Sequence, residues 1–284
     1  MGIALREAMQ EILSGWRQDL GSDWQSVVQN AEPGFAAIDP GLMLEVFEPV
    51  FPVRKGQKYL GAPKGAHIFR AFDGIAPADV HCVVLGQDPY PDASFSTGRA
   101  FEAGNVRWWR ELEKMFSVSV RTFMQLIVAA RTGDASYARS TADWRRLVDD
   151  VESGRLPLEP AATIADRWVE DGVLLLNSAL TLSRFAVEGD PHQLRGHLPL
   201  WRPFIAAVLG HLAGRGNPVV FIAFGGQAAS ALRDAGVEAR VADRMVKVIL
   251  REHPARGDEV LKLENPFVLA NRFLGEAGAQ AISW

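Results

Sequence analysis

Apolar residues fall along this chain in two patterns. Four short runs are apolar almost without interruption: Cys82–Leu85, Val173–Leu176, Val219–Phe224 and Val246–Leu250, the last broken only by Lys247. Runs of this length, bounded by Gly or Pro and rich in β-branched residues, predict strands buried on both faces. Elsewhere apolar residues recur every three or four positions. Leu5, Met9, Ile12, Leu13 and Trp16 predict a helix over Leu5–Leu20, and Trp24–Val28 a short second one. Met43–Phe47 reads as another helix, stopped by Pro49 and Pro52. Further helices are predicted over 68–72, 121–130, 164–170, 201–212, 227–235 and 266–273. Strands alternating with helices predict a three-layer α/β/α fold around a central, mostly parallel four-stranded sheet.

The stretch Arg131–Pro160 breaks this rhythm. It is polar, is punctuated at Thr132-Gly133-Asp134 and Ser153-Gly154, and holds one amphipathic patch around Trp144 and Leu147. It reads as an insertion with one docked helix inside a single domain spanning 1–284. The 284 residues, 48% of them hydrophobic, suffice for one large core or two at most.

Composition narrows the class. Lys and Arg number 30 against 34 Asp and Glu, a formal charge of −4, so binding to nucleic acid would rest on a local patch. Lys55, Lys58, Lys64 and Arg70 form a loose basic cluster. Cys82 is the only cysteine, which excludes an internal disulfide and any four-cysteine metal site. No secretory leader and no run of about 18 apolar residues is visible, so a cytoplasmic monomer without a membrane span is expected.

Polar side chains follow three of the four strands. Gln87, Asp88 and Tyr90 follow Gly86, Asn177 ends the second strand, and His253 follows the fourth. In a parallel sheet these ends share one edge, where ligands bind. Asp88 could serve as a general base or stabilise a cation, and His253 could donate a hydrogen bond or a proton. Asn177 offers both a donor and an acceptor, which suits the edge of an amide or a nucleobase. Taken singly, Asn177 could cap a turn, His253 could end a strand, and Phe101 could be core. Phosphate-binding glycine loops, a Gly-x-Ser-x-Gly elbow and metal-ligand spacing among the six histidines are all absent. No metal and no cofactor is expected.

At these residues the sequence becomes specific. Gly86-Gln87-Asp88-Pro89-Tyr90 resembles the water-activating motif of family 1 uracil-DNA glycosylases. Phe101, thirteen positions after Asp88, resembles that family's base-stacking phenylalanine. Leu174–Thr181 is similar to its strand with the uracil-reading asparagine, and His253-Pro254 to the start of its DNA-intercalation loop. Weaker similarity runs from Trp24 through Pro63 to Val84, and recurs at Gly196–Phe204 and Phe224-Gly225. The resemblance implies a repair glycosylase acting on uracil in single- or double-stranded DNA. It implies that Gln87 contacts uracil through its backbone and that Asp88 positions water and stabilises the sugar cation. Tyr90 would block the thymine methyl, Phe101 stack on the flipped base, Asn177 read the O4/N3 edge, and His253 stabilise the leaving uracil anion. Gly226, Pro254, Ala255, Arg256 and Gly257 would meet DNA.

The departures are local. Pro91 stands where the family has histidine, and Gly226 where it has serine. The wedge leucine aligns with Gly257, so the expected wedge is Arg256, with Leu261 as a second candidate. A loop without an apolar wedge should bind the family's proteinaceous inhibitor weakly. Two rival readings follow: a catalytically weak scaffold that binds uracil-containing or abasic DNA, and a glycosylase of another family with mismatch or hypoxanthine specificity, against which Tyr90 and Asn177 argue.

Overall fold

A computed structural model of the chain describes residues 2–114 and 118–284. The strands are β1 (Gly2–Ala4), β2 (Met43–Glu45), β3 (Cys82–Gly86), β4 (Val173–Asn177), β5 (Val219–Phe224) and β6 (Val246–Arg251). The helices are α1 (Leu5–Ile12), α2 (Ser22–Val27), α3 (Val118–Thr132), α4 (Asp143–Glu152), α5 (Ile164–Glu170), α6 (Leu198–Gly214), α7 (Gly226–Asp234), α8 (Asp258–Leu261) and α9 (Pro266–Glu276).

The central sheet has the order β4-β3-β5-β6, with every pairing parallel. Its strands alternate between two cores. Val83, Leu85, Leu174, Leu176, Phe221 and Ala223 face one layer with Trp16, Trp24, Phe69, Trp201 and Phe204. Cys82, Val84, Leu175, Val220, Ile222 and Phe224 face the other, with Phe123, Trp168 and Phe267. Both faces are therefore covered, which explains why the strands read as unbroken apolar runs. This is the predicted α/β/α sandwich, and its sheet is wholly rather than mostly parallel. The polar insertion joins the second core through Tyr137, Trp144, Leu147 and Val148. No helix among the described residues is long and apolar enough to cross a membrane.

Three predicted elements differ, the simplest being 68–72, which forms only a 3-10 turn over Arg70–Phe72. Met43–Glu45 is a strand, not a helix; it pairs antiparallel with Gly2–Ala4 in the register Gly2↔Glu45, Ile3↔Leu44, Ala4↔Met43. Burial there alternates, with Leu44 buried and Met43 44% exposed, a period of two that three residues are too few to reveal. The predicted Leu5–Leu20 helix stops at Ile12, and a left-handed Gly15 leads into a 3-10 turn over Trp16–Asp19. Arg54 takes the released carbonyls: Nη1 donates to Ile12 O (3.1 Å) and Ser14 O (2.7 Å), and Nη2 to Gly15 O (3.1 Å).

The strand order reverses at β3, which continues to β4 on one side and to β5 on the other. Such a reversal opens a crevice beyond the carboxyl ends of the strands.

Candidate active site

Gly86, the last residue of β3, is the pivot of that crevice. It is the register partner of Asn177, the last residue of β4. A Cβ placed on Gly86 would stand 2.6 Å from Asn177 Oδ1 and 3.5 Å from Phe101 Cε2, so only glycine lets both side chains close over this strand end. The loops after β3 and β4 are stitched together. Gly86 O accepts from Ser178 N (3.0 Å) and Ser178 Oγ (2.9 Å), and Gln87 O accepts from Ala179 N (2.8 Å). Asn177 is thereby buried with its amide against the backbone that leads into Asp88.

Phe101 is held in a left-handed backbone conformation, φ 59°, which L-residues with bulky side chains seldom adopt. One ring face lies flat on Phe123, 4.6 Å between centroids and 1° between planes, and Phe224 meets it edge-on at 5.2 Å. Flanking charges pin this loop: Arg99 Nη1 lies 2.6 Å from Asp166 Oδ1, and Arg70 Nε 3.4 Å from Glu102 Oε2. Arg70 of the predicted basic cluster is thus committed to structure, as is Lys55, 2.9 Å from Asp73.

Asp88 is mostly buried. Removal from water pushes its carboxyl up to about 6, against two side-chain amides that favour the anion. Gln87 Nε2 donates to Asp88 Oδ2 at 3.2 Å. Gln193 Nε2 donates to the same oxygen in a very close contact. Among the described residues, no hydrogen bond ends on Oδ1. Tyr90 hydrogen-bonds Ser119, and burial raises its phenol.

His253 sits beside Gly225, whose Cβ position (φ 90°) is 3.4 Å from His253 Cβ. Burial lowers its imidazole below the ordinary value, so it is neutral at pH 7. Its Nδ1 accepts from Ala255 N at 3.2 Å, which leaves the proton on Nε2, free to donate. The next residues form a 3-10 turn, Pro254–Arg256. Pro254 is buried, and Ala255 and Arg256 are exposed. Arg256 Nη1 lies 3.0 Å from Glu259 Oε2 and its Nε 3.6 Å from Glu252 Oε2. Gly257 faces inward, against Thr141 of the insertion. Leu261 is buried in the second core and so is unavailable as a wedge. Gly226 opens α7 with its Cα facing open space.

The parallel strands thus bring Gln87, Asp88, Asn177 and His253 to one edge of the sheet, with Phe101 packed near Gly86 and Tyr90 on the loop after β3. Among the described residues, no group of three or more His, Cys, Asp or Glu side chains is placed to hold a metal ion.

Comparison with known proteins points the same way. No family model matches the chain. A protein from Nocardioides sp. named uracil-DNA glycosylase is 26% identical over 268 residues, 93% of each chain. A uracil-DNA glycosylase from Parafrankia sp. is 27% identical over 270 residues, covering 94% of this chain and 96% of its own. Over nearly its whole length, the chain is similar to uracil-DNA glycosylases. In fold it is also like the wild-type UNG crystal structure from Nitratifractor salsuginis, with a TM-score of 0.60 at 20% identity over 97% of this chain and 98% of that one.

Two residues at the site were not singled out by sequence reasoning. Gln193 lies in a polar stretch with no periodicity, 105 positions from Asp88. Phe123 was legible only as one apolar position of a helix. Nothing local marks either as a neighbour of the strand ends.

Proposed function

We propose that this protein is a uracil-DNA glycosylase that hydrolyses the N-glycosidic bond of deoxyuridine in DNA and leaves an abasic site. The observation that carries this reading is the end-to-end similarity to uracil-DNA glycosylases, 93% of both chains for the Nocardioides protein. The convergence of Asp88, Asn177 and His253 at one sheet edge supports it.

The geometry supports a role for each site residue. The flipped base stacks on the face of Phe101 opposite Phe123. Asn177, its amide fixed beside Gly86, reads the O4/N3 edge of uracil and rejects cytosine. Gln87 meets the base through its backbone, and Tyr90 fills the space a thymine methyl would need. As the N1–C1′ bond breaks, its electron pair leaves with uracil. The neutral His253 donates from Nε2 to O2, where that charge collects. Asp88, ionised at pH 7, faces the developing sugar cation and orients a water. The water oxygen bonds to C1′ and its proton passes to Asp88. Donors and charge aimed at what exists only in the transition state are the effective use of such groups.

The DNA-facing surface comprises Gly226, whose backbone N–H lies at the start of α7, and the exposed Ala255 and Arg256 of the turn after His253, while Pro254 and Gly257 face inward. Arg256, exposed and long, is the residue that would fill the vacated stack, exchanging its partners Glu252 and Glu259 for phosphate. Because this turn presents no apolar wedge, the proteinaceous inhibitor of uracil-DNA glycosylases should bind weakly; stoichiometric inhibition at nanomolar protein would refute this.

The test is release of uracil from an end-labelled oligonucleotide, single- and double-stranded, by wild type and Asp88→Asn. Multiple turnover by wild type is expected, with a loss of roughly 100- to 10,000-fold in the variant. A wild type that retards the oligonucleotide without releasing uracil would establish the scaffold reading instead.

A further inference from the structure

Gln193 is 1% exposed and lies at the start of a π-helical turn, Gln193–His197, just before α6. Both ends of its amide are engaged. Oε1 accepts from Asp190 N at 3.3 Å, while Nε2 donates to Asp88 Oδ2. The Asp190 contact settles which way the amide faces: reversed, it would set a donor against a donor and an oxygen against the carboxylate.

The turn that carries Gln193 is itself locked by a buried chain of hydrogen bonds. Trp201 Nε1 donates to Thr181 Oγ1 at 2.7 Å. Thr181 Oγ1 lies 2.9 Å from His197 Nδ1, and Ser183 Oγ lies 2.9 Å from both His197 Nε2 and His192 Nδ1. One direction satisfies every group. Trp201 takes the Thr181 acceptor, so the Thr181 proton goes to His197 Nδ1. His197 then donates from Nε2 to Ser183, and Ser183 donates to His192 Nδ1. His192 is left to donate to the Met43 backbone. This order requires both imidazoles to be neutral, and burial keeps them so. A buried amide must be hydrogen-bonded, and this one is held at both ends. A buried glutamine aimed at a carboxylate needs a reason to be aimed.

We propose that Gln193 is a positioning residue for Asp88, anchoring Oδ2 so that Oδ1 faces the reacting sugar and water. This rests on the glycosylase reading above. Gln87, on the loop of Asp88 itself, donates to the same oxygen. Both amides spend their donors on Oδ2, and Oδ1 keeps its lone pairs for the water. Pro91 offers no donor of its own nearby, so the second hold on the carboxylate comes from a distant turn. The groups facing Asp88 are these amides from its own loop and from the turn at 193. No charged side chain among the described residues contributes to its titration.

The test uses the full chain with its aspartate carboxyl carbons labelled for NMR, Asp88 being assigned by its loss in Asp88→Asn. Gln193→Met keeps the shape and removes the donor, and Gln193→Glu keeps the shape and adds a second carboxylate. In Gln193→Met the Asp88 titration midpoint should rise by about one pH unit, and further in Gln193→Glu. On a uracil oligonucleotide at pH 7, kcat for Gln193→Met should fall roughly tenfold or more, with KM within about twofold and melting temperature nearly unchanged. A midpoint unmoved in both variants overturns the proposal. A moved midpoint with kcat unchanged overturns the role in the reaction. If wild type releases no uracil, the glycosylase reading fails, and the titration still decides whether Gln193 holds Asp88.

Discussion

Asp88 is placed where its charge is expensive. Burial raises its carboxyl to about 6, and the amides of Gln87 and Gln193 only partly offset this. A carboxyl raised in the folded state adds stability when protonated and loses that contribution as pH climbs through about 6. At pH 7 its charge therefore costs stability, as expected of a group kept for the proposed chemistry. Asp88→Asn should raise stability at pH 7 by roughly 1–3 kcal/mol while cutting turnover by roughly 100- to 10,000-fold. Urea denaturation checks this; a destabilised variant would show that the charge is compensated better than the geometry indicates. The same elevation predicts an acid limb near pH 6 in the rate of uracil release. Phe101 shows the same trade in its backbone. Its φ of 59° is strained for a phenylalanine, yet it lays one ring face on Phe123.

At the scale of elements, loops rather than strands carry the site, and other elements hold those loops. The turn after His253 leans on the polar insertion: Thr141 N donates to Asp258 Oδ1 at 2.6 Å, and a Cβ on Gly257 would lie 2.6 Å from Thr141 Cγ2. Gly257 also has φ 51° and ψ −108°, outside the range of ordinary L-residues. Gly257→Ala should cost roughly 1–3 kcal/mol, part steric and part conformational. Adding Thr141→Ala should recover only the steric part, which a double-mutant cycle by chemical denaturation would read. Full recovery would mean that the backbone conformation is unstrained. The insertion is thus a buttress for this turn as well as part of the second core.

Across the whole molecule, buried titratable groups pull stability in opposite directions with pH. His197 is held down to about 3 by burial, and His192 and His253 are also lowered. Below about 6.5 the unfolded chain takes up protons at these sites that the folded protein refuses, so stability falls as pH falls. Asp88 does the reverse between about 4 and 6, because there the folded protein holds the extra proton. Its uptake cancels about one histidine's worth of slope. Wild-type stability should therefore decline gently from pH 6.5 to 4, and Asp88→Asn should decline more steeply, by about 1.4 kcal/mol per pH unit. Below this range Asp73, held near 2 by His67 and Lys55 against its own burial, adds a further loss. Parallel stability curves for the two proteins would place the Asp88 proton elsewhere.

The apolar runs were enough to find all four core strands, because a strand buried on both faces must be apolar at every position. Their polar successors, Gln87, Asp88, Asn177 and His253, were legible for the same reason: where such a run ends, the chain leaves the core. Folding alone settled what lies across the chain from what. Met43–Glu45 is a strand because Gly2–Ala4 pairs with it, some forty residues away. Leu261 is core because the second layer closes over it, and Gly257 faces inward because Thr141 stands behind it. Gln193 meets Asp88 because the turn before α6 comes back over the end of β3. Local patterns record which side of an element faces water. They carry no trace of a single side-chain contact between distant segments, which exists only once the sheet and its two layers have closed.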